Sequence, residues 1–243
     1  MEKLLDGRSA IVTGSGQGLG AALASALAVD GARVLVASRS AEKANATALA
    51  IRARGGSAAA VAADLTAPDG PQRVVQAALD EFGSVDILVN NAGIYIWKKL
   101  IDVSAADWDR TIATNLTAPF QMIQATAKVM IRQGRGGSIV NIASIHGRIA
   151  EGDVVPHCAA KFGLIGLTQA VAAALREHDI RVNAVCPGSI EPDSANRRGA
   201  SPREKVTQAD IASLTVYLAS DLARSITGAA MEAYGSTRAS IQA

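Results

Sequence analysis

Short β-branched runs alternate with longer alanine- and leucine-rich stretches along almost the whole chain, and no other feature limits the fold as strongly. Strands are predicted over 8–13, 33–37, 58–63, 86–90, 138–142, 180–185 and 229–233. Helices are predicted between them, over 17–29, 41–54, 71–82, 104–133, 158–178 and 208–220. Ile87, Leu88 and Val89 are apolar on both faces, as parallel strands usually are. Pro119 falls inside the longest helical stretch, so a kink is expected there. Repeated strand-helix-strand units imply an α/β fold, a parallel sheet covered by helices on both faces and joined by right-handed crossovers. A chain of 243 residues can bury one sizeable core but hardly two. Apolar residues make up 49% and aromatics only 3%, so aliphatic side chains and alanine must build that core.

The charge balance excludes some partners. With 24 basic and 22 acidic side chains the formal charge is +2, which gives no reason to expect nucleic acid or a membrane surface. Cys158 and Cys186 lie far apart without zinc or redox spacing, so reduced thiols and a cytoplasmic location are expected. The three histidines lack ligand spacing, and no metal is expected. The opening residues carry charges early, and no apolar run approaches the ~20 residues that cross a bilayer. A soluble, non-secreted protein is the expectation.

Between the first strand and the first helix lies Thr13-Gly14-Ser15-Gly16-Gln17-Gly18-Leu19-Gly20. Glycines at 14, 18 and 20 let the chain turn sharply, bring backbone amides onto a pyrophosphate and pack the helix close to the sheet. The helix N-terminus adds partial positive charge. The spacing is Gly-x-x-x-Gly-x-Gly rather than Gly-x-Gly-x-x-Gly.

Further pieces stand in order along the chain. They are Asp64-Leu65, Asn90-Asn91-Ala92-Gly93, Asn115, Ser144, Lys161 and Pro187-Gly188. Together with the glycine loop they resemble the short-chain dehydrogenase/reductase family, over residues 7–235. The resemblance implies a single Rossmann-type domain over residues 1–243, with a doubly wound parallel sheet of about seven strands in the order 3-2-1-4-5-6-7. It also implies a homotetramer or homodimer acting on a small-molecule carbonyl or alcohol. Asp64 would meet the adenine edge and Leu65 its face. Asn91, Ala92 and Gly93 would lie along the ribose and nicotinamide, and the Ile190 amide would meet the carboxamide.

A fold of this kind that prefers NAD places an acid at the end of the second strand. Here the strand ends in Ser38-Arg39, and a guanidinium beside a hydroxyl can hold a 2′-phosphate. NADP is therefore expected, with NAD as the alternative.

In the family resembled, a serine positions the carbonyl, a tyrosine passes the proton, a lysine lowers the tyrosine pKa and an asparagine keeps a relay water. Ser144, Lys161 and Asn115 match three of these positions, but four residues before Lys161 stands His157. Histidine titrates near neutrality, which favours a working replacement. The imidazole is roughly 2 Å shorter than a phenol. Lys161 and the helix N-terminus both disfavour a second positive charge. His157 is expected to be neutral, polarising the substrate or holding a water, with hydride transfer detuned.

Two departures accompany it. Pro192 stands where the family usually has threonine, and residues 191–205 would form a short, charged substrate lid before a patternless tail at 236–243. Two other functions remain open: a nicotinamide-binding pseudoenzyme or regulator, and a hydrolase pairing Ser144 with His157. His146 follows Ser144 in the loop expected to face substrate, or serves as a hydrogen-bonded loop histidine. Tyr95, Trp97 and Trp108 read as packing residues, although 94–99 lies near the expected pocket mouth.

Overall fold

Among the described residues, seven parallel strands form one sheet in the order β3-β2-β1-β4-β5-β6-β7. They are β1 (Ser9–Thr13), β2 (Arg33–Ser38), β3 (Ser57–Ala62), β4 (Ile87–Asn90), β5 (Gly137–Ile142), β6 (Ile180–Pro187) and β7 (Ala230–Ala233). The computed structural model describes residues 3–190 and 206–234, so the expected lid, Pro192 and the tail lie outside the described residues. This is the doubly wound, Rossmann-type α/β arrangement that the alternation implies.

The helices divide between the two faces of the sheet. One face packs against α1 (Gly18–Val29), α2 (Ala41–Ala53) and α7 (Gln208–Ala219). The other packs against α3 (Gly70–Phe82) and α5 (Ala118–Gln133), with the end of α6 (Val155–Ala174). Side chains alternate accordingly: Val34 and Val36 join the first core, Leu35 and Ala37 the second. Ala24, Ala28, Ala44 and Ala48 are buried, and their small size lets α1 and α2 lie close to the strands. Each fully buried leucine between them, Leu23 or Leu27, contributes roughly 1.5–3 kcal/mol.

β1 sits between β2 and β4, so the chain leaves it in one direction and returns on the other side. At such a switch point a crevice opens beyond the carboxyl ends of the strands.

Two elements differ from expectation. The stretch at 104–133 is helical as expected but carries a turn the periodicity did not show: α4 (Ala105–Ile112) continues through a π turn, Ala113–Thr117, into α5. Pro119 has no N–H to give the Asn115 carbonyl four residues earlier, and the wider turn, in which Ala118 N–H reaches the Ala113 carbonyl, absorbs the mismatch. α6 begins at Val155, three residues before the expected start, because Pro156 occupies the first turn, where its missing N–H has no helical partner to lose. Gly152–Ala174 is long and apolar enough to cross a membrane by length and composition, but half of it is buried inside the protein.

Candidate functional site

The β1–α1 loop is held by its own chain. Ser15 Oγ donates to the Val12 carbonyl at 2.6 Å and accepts from Ala37 N–H at 3.1 Å, while Ser15 N–H reaches the Ala37 carbonyl. Of the loop residues expected at a cofactor, Ser15 is thus turned inward, with hydroxyl and amide both engaged. Gly14 has φ +63°, and a Cβ there would stand 2.7 Å from Ala92 Cα. Gly18 has φ +54° with open space where a Cβ would be. Gly20 packs against the Gly14 carbonyl and the Asn91 amide. α1 has no side-chain N-cap and no acid in its first turn, so its leading N–H groups face the crevice for an anion. A cradle shaped by missing side chains and uncapped amides fits a dinucleotide pyrophosphate.

The β4 loop is stapled to this one. Thr13 Oγ1 accepts from the N–H groups of Asn91 and Ala92 at 3.0 and 3.1 Å. Asn91 Nδ2 in turn donates to the carbonyls of Thr13 and Gly14.

A cavity of about 290 Å³ lies on the β2 side, lined by Gly14, Ser38, Arg39, Asp64, Leu65, Ala92 and Gly93. Asp64 Oδ1 accepts from Thr66 N–H and Oγ1–H, which lowers the carboxyl pKa, and the Arg39 charge adds a smaller push. Gly16 abuts Ser38 Oγ, and Lys43 Nζ donates to Gln17 Oε1 at 2.6 Å, so a second cation stands beside Arg39's end of the loop. Arg110 and Thr114, from α4 and the π turn, also line this cavity and are additions to the expected set. They sit on helices whose sequence shows only amphipathic periodicity.

A second cavity, about 770 Å³, lies beyond β4, β5 and β6. Leu19, Asn91, Gly93, Ser144, His157, Lys161, Pro187, Gly188 and Ile190 line it, together with Tyr95, Trp97 and His146. The two cavities share Gly93 and Ile94 as a common wall. Ser144 Oγ accepts from His146 N–H at 3.1 Å, and among the described residues no hydrogen bond joins it to His157. The nucleophile-base pairing that a hydrolase would need is not formed there. Gly188 N–H is held by the Ala233 carbonyl.

Asn115, fully buried in the π turn, grips the backbone of Ile94 from both sides. Its Oδ1 accepts from Ile94 N–H and its Nδ2 donates to the Ile94 carbonyl, both at 2.8 Å. Nδ2 is also 3.4 Å from His157 Nδ1. The Asn115 side chain thus fixes the pocket loop, in addition to any part it takes in holding water.

Burial is the main cause that pushes the His157 pKa down to about 4, with Lys161 and His146 adding to it and a backbone hydrogen bond at Ile94 opposing. Burial and the Lys161 charge thus act together in favour of a neutral imidazole. Burial likewise lowers Lys161 to about 8, and its Nζ donates to the Ile142 carbonyl at 2.7 Å. Burial lowers His146 too.

Tyr95 and Trp97, read from sequence as packing residues, stand in the cavity instead. The Tyr95 ring meets His157 edge-on at 4.8 Å between centroids and stacks with His146 at 6.3 Å. A loop has no periodicity that could have flagged them; the only signal was their nearness to Asn91 and Gly93.

The comparisons agree with this architecture. The family model for short chain dehydrogenase matches residues 8–203. The chain is 42% identical over 187 residues to a sorbitol dehydrogenase of Cereibacter sphaeroides, covering 77% of this chain and 72% of the relative. It is 38% identical to an L-rhamnose 1-dehydrogenase (NAD(P)(+)) of Azotobacter vinelandii, covering 94% of this chain and 95% of that one. Among solved structures, a short-chain type dehydrogenase/reductase from Mycobacterium marinum superposes with a TM-score of 0.90 at 33% identity, over 97% of both chains. With glycine loop, switch-point crevice and matching relatives in agreement, the chain belongs to the short-chain dehydrogenase/reductase family.

Proposed function

We propose that the protein is an NADP-preferring oxidoreductase that interconverts a carbonyl and a secondary alcohol, with Ser144, His157, Lys161 and Asn115 at its centre. The observation that carries this reading is the pair of cavities meeting at Gly93 and Ile94. One offers an adenosine site beside a phosphate cradle, and the other offers polar and cationic groups to a reacting oxygen. A nicotinamide dinucleotide, when bound, supplies or accepts the hydride. Ser144 holds the substrate oxygen by a hydrogen bond. Lys161, lowered by burial only to about 8 and so still largely charged at neutral pH, favours negative charge growing on that oxygen. His157, neutral and held beside Asn115, donates a hydrogen bond without giving up a proton as an imidazolium would.

The NADP preference is supported by Arg39, which is exposed at the end of β2 beside Ser38, with Lys43 nearby and no carboxylate at 38–40. Assembly of identical copies is supported by Trp108, Phe120 and Phe162, which remain exposed on α4, α5 and α6. A reducing, cytoplasmic setting is supported by two free, buried cysteines.

Titration of the protein and of Arg39→Asp with NADPH and NADH, followed by a screen of carbonyls and alcohols, tests the reading. The parent should bind NADPH at least ten times more tightly than NADH, and the variant should lose that margin through the missing charge-assisted bonds. Binding of NADPH without consumption of it by any carbonyl would favour a regulator instead.

A further inference from the structure

We infer that Tyr95 is the proton donor of the reaction, a phenol carried by the loop after β4 and set against His157. This rests on the oxidoreductase reading above and names a further catalytic residue within it.

Reduction of a carbonyl requires a proton at its oxygen, so some group in the 770 Å³ cavity must carry one at neutral pH and be able to release it. His157 and His146 are both desolvated, and neither holds an extra proton at neutrality. Lys161 is buried and tied by Nζ to the Ile142 carbonyl, which suits it to provide a field rather than a mobile proton. The Ser144 hydroxyl is a much weaker acid than a phenol. A phenol is a far stronger acid than an aliphatic hydroxyl, and Tyr95 carries the most acidic hydroxyl among these cavity groups.

The placement of Tyr95 is built rather than incidental. Asn115 clamps the adjacent Ile94 through two hydrogen bonds of 2.8 Å, which fixes where the next residue leaves the loop. The same amide lies 3.4 Å from His157 Nδ1, so one buried side chain positions both rings. The Tyr95 ring is then held edge-on to His157, at 4.8 Å between centroids, and stacked on His146. Half of Tyr95 remains exposed, which leaves it open to water.

In the reducing direction the hydride supplied by the dinucleotide forms a new C–H bond, and the carbonyl π electrons move to oxygen. The Tyr95 O–H bond breaks as its proton joins that oxygen, giving the alcohol; the carbonyl carbon is reduced and the nicotinamide oxidised. The phenolate left behind shares the cavity with the Lys161 cation and takes its replacement proton from water. Alcohol oxidation runs the same transfers backwards.

Tyr95→Phe keeps the ring and removes only the hydroxyl. Its kcat should fall about 100-fold or more, while KM and the NADPH Kd from protein fluorescence stay within about threefold and the thermal midpoint shifts by less than about 3 °C. Adding His157→Tyr to Tyr95→Phe should restore at least a tenth of the parent turnover, since it returns a phenol to the same cavity. Turnover of Tyr95→Phe within threefold of the parent, a loss matched by weaker NADPH binding, or a double variant without rescue would each overturn the role of Tyr95 while leaving the oxidoreductase reading in place. A parent that consumes no NADPH with any carbonyl overturns both.

Discussion

A histidine enclosed in a protein and deprived of water is a sensor of acid, whatever else it does. His157 ordinarily would titrate near 6.5, and burial brings it to about 4. Between those values the unfolded chain binds a proton that the folded site refuses, so stability is full above pH 6.5 and declines as the pH falls towards 4. His146 acts in the same direction. His157→Gln should therefore give a shallower fall in the thermal midpoint between pH 6.5 and 4; an unchanged slope would show that the imidazole is not the proton acceptor. The sequence made the residue at 157 conspicuous because Lys161 stands four residues later on one helical face. It could not make Tyr95 conspicuous, because the meaning of that ring depends on a clamp from Asn115, 20 residues farther along the chain. Ser15 shows the converse: its place in a glycine loop suggested a ligand contact, but its hydroxyl and amide close the loop from inside.

At the level of elements, the helix that supplies Asn115 depends on its first turn. Ser104 Oγ accepts from Asp107 N–H at 3.1 Å while Asp107 Oδ2 accepts from Ser104 N–H, and Lys98 pairs with the same carboxylate at 2.6 Å. Ser104→Ala should cost about 1 kcal/mol in urea unfolding. A loss below a few tenths would mean that Lys98 and solvent replace the cap. The strand and helix order was legible because β-branched runs and alanine-rich runs have different periods. Even β3, with the weak sequence Ser-Ala-Ala-Ala-Val-Ala, forms, because it pairs with β2 along six residues. What could not be read was how the long helix would answer to Pro119. Sequence identifies a missing N–H, but not the wider turn that accommodates it.

The whole molecule separates binding from bracing. The two cavities open beyond the carboxyl ends of the strands, whereas Asp86 ties together the opposite edge. Asp86 is buried, accepts from Ser9 N–H at 2.8 Å and pairs with Arg135 at 2.7 Å, joining the starts of β1 and β4 to the loop before β5. Arg135 is half exposed, so solvent weakens that pair; Asp86→Ala should lower stability by about 2–3 kcal/mol, chiefly through lost charge-assisted hydrogen bonds. NADPH affinity should not change in the folded variant. A parallel loss of affinity would mean that strain crosses the sheet from one edge to the other. The common wall at Gly93 and Ile94 has a thermodynamic consequence. A molecule seated in one cavity presses on a surface that the other cavity also uses. By linkage, the factor by which a dinucleotide tightens an alcohol must equal the factor by which that alcohol tightens the dinucleotide. The size of that one number, measured from either side, reports how firmly Asn115 holds the partition.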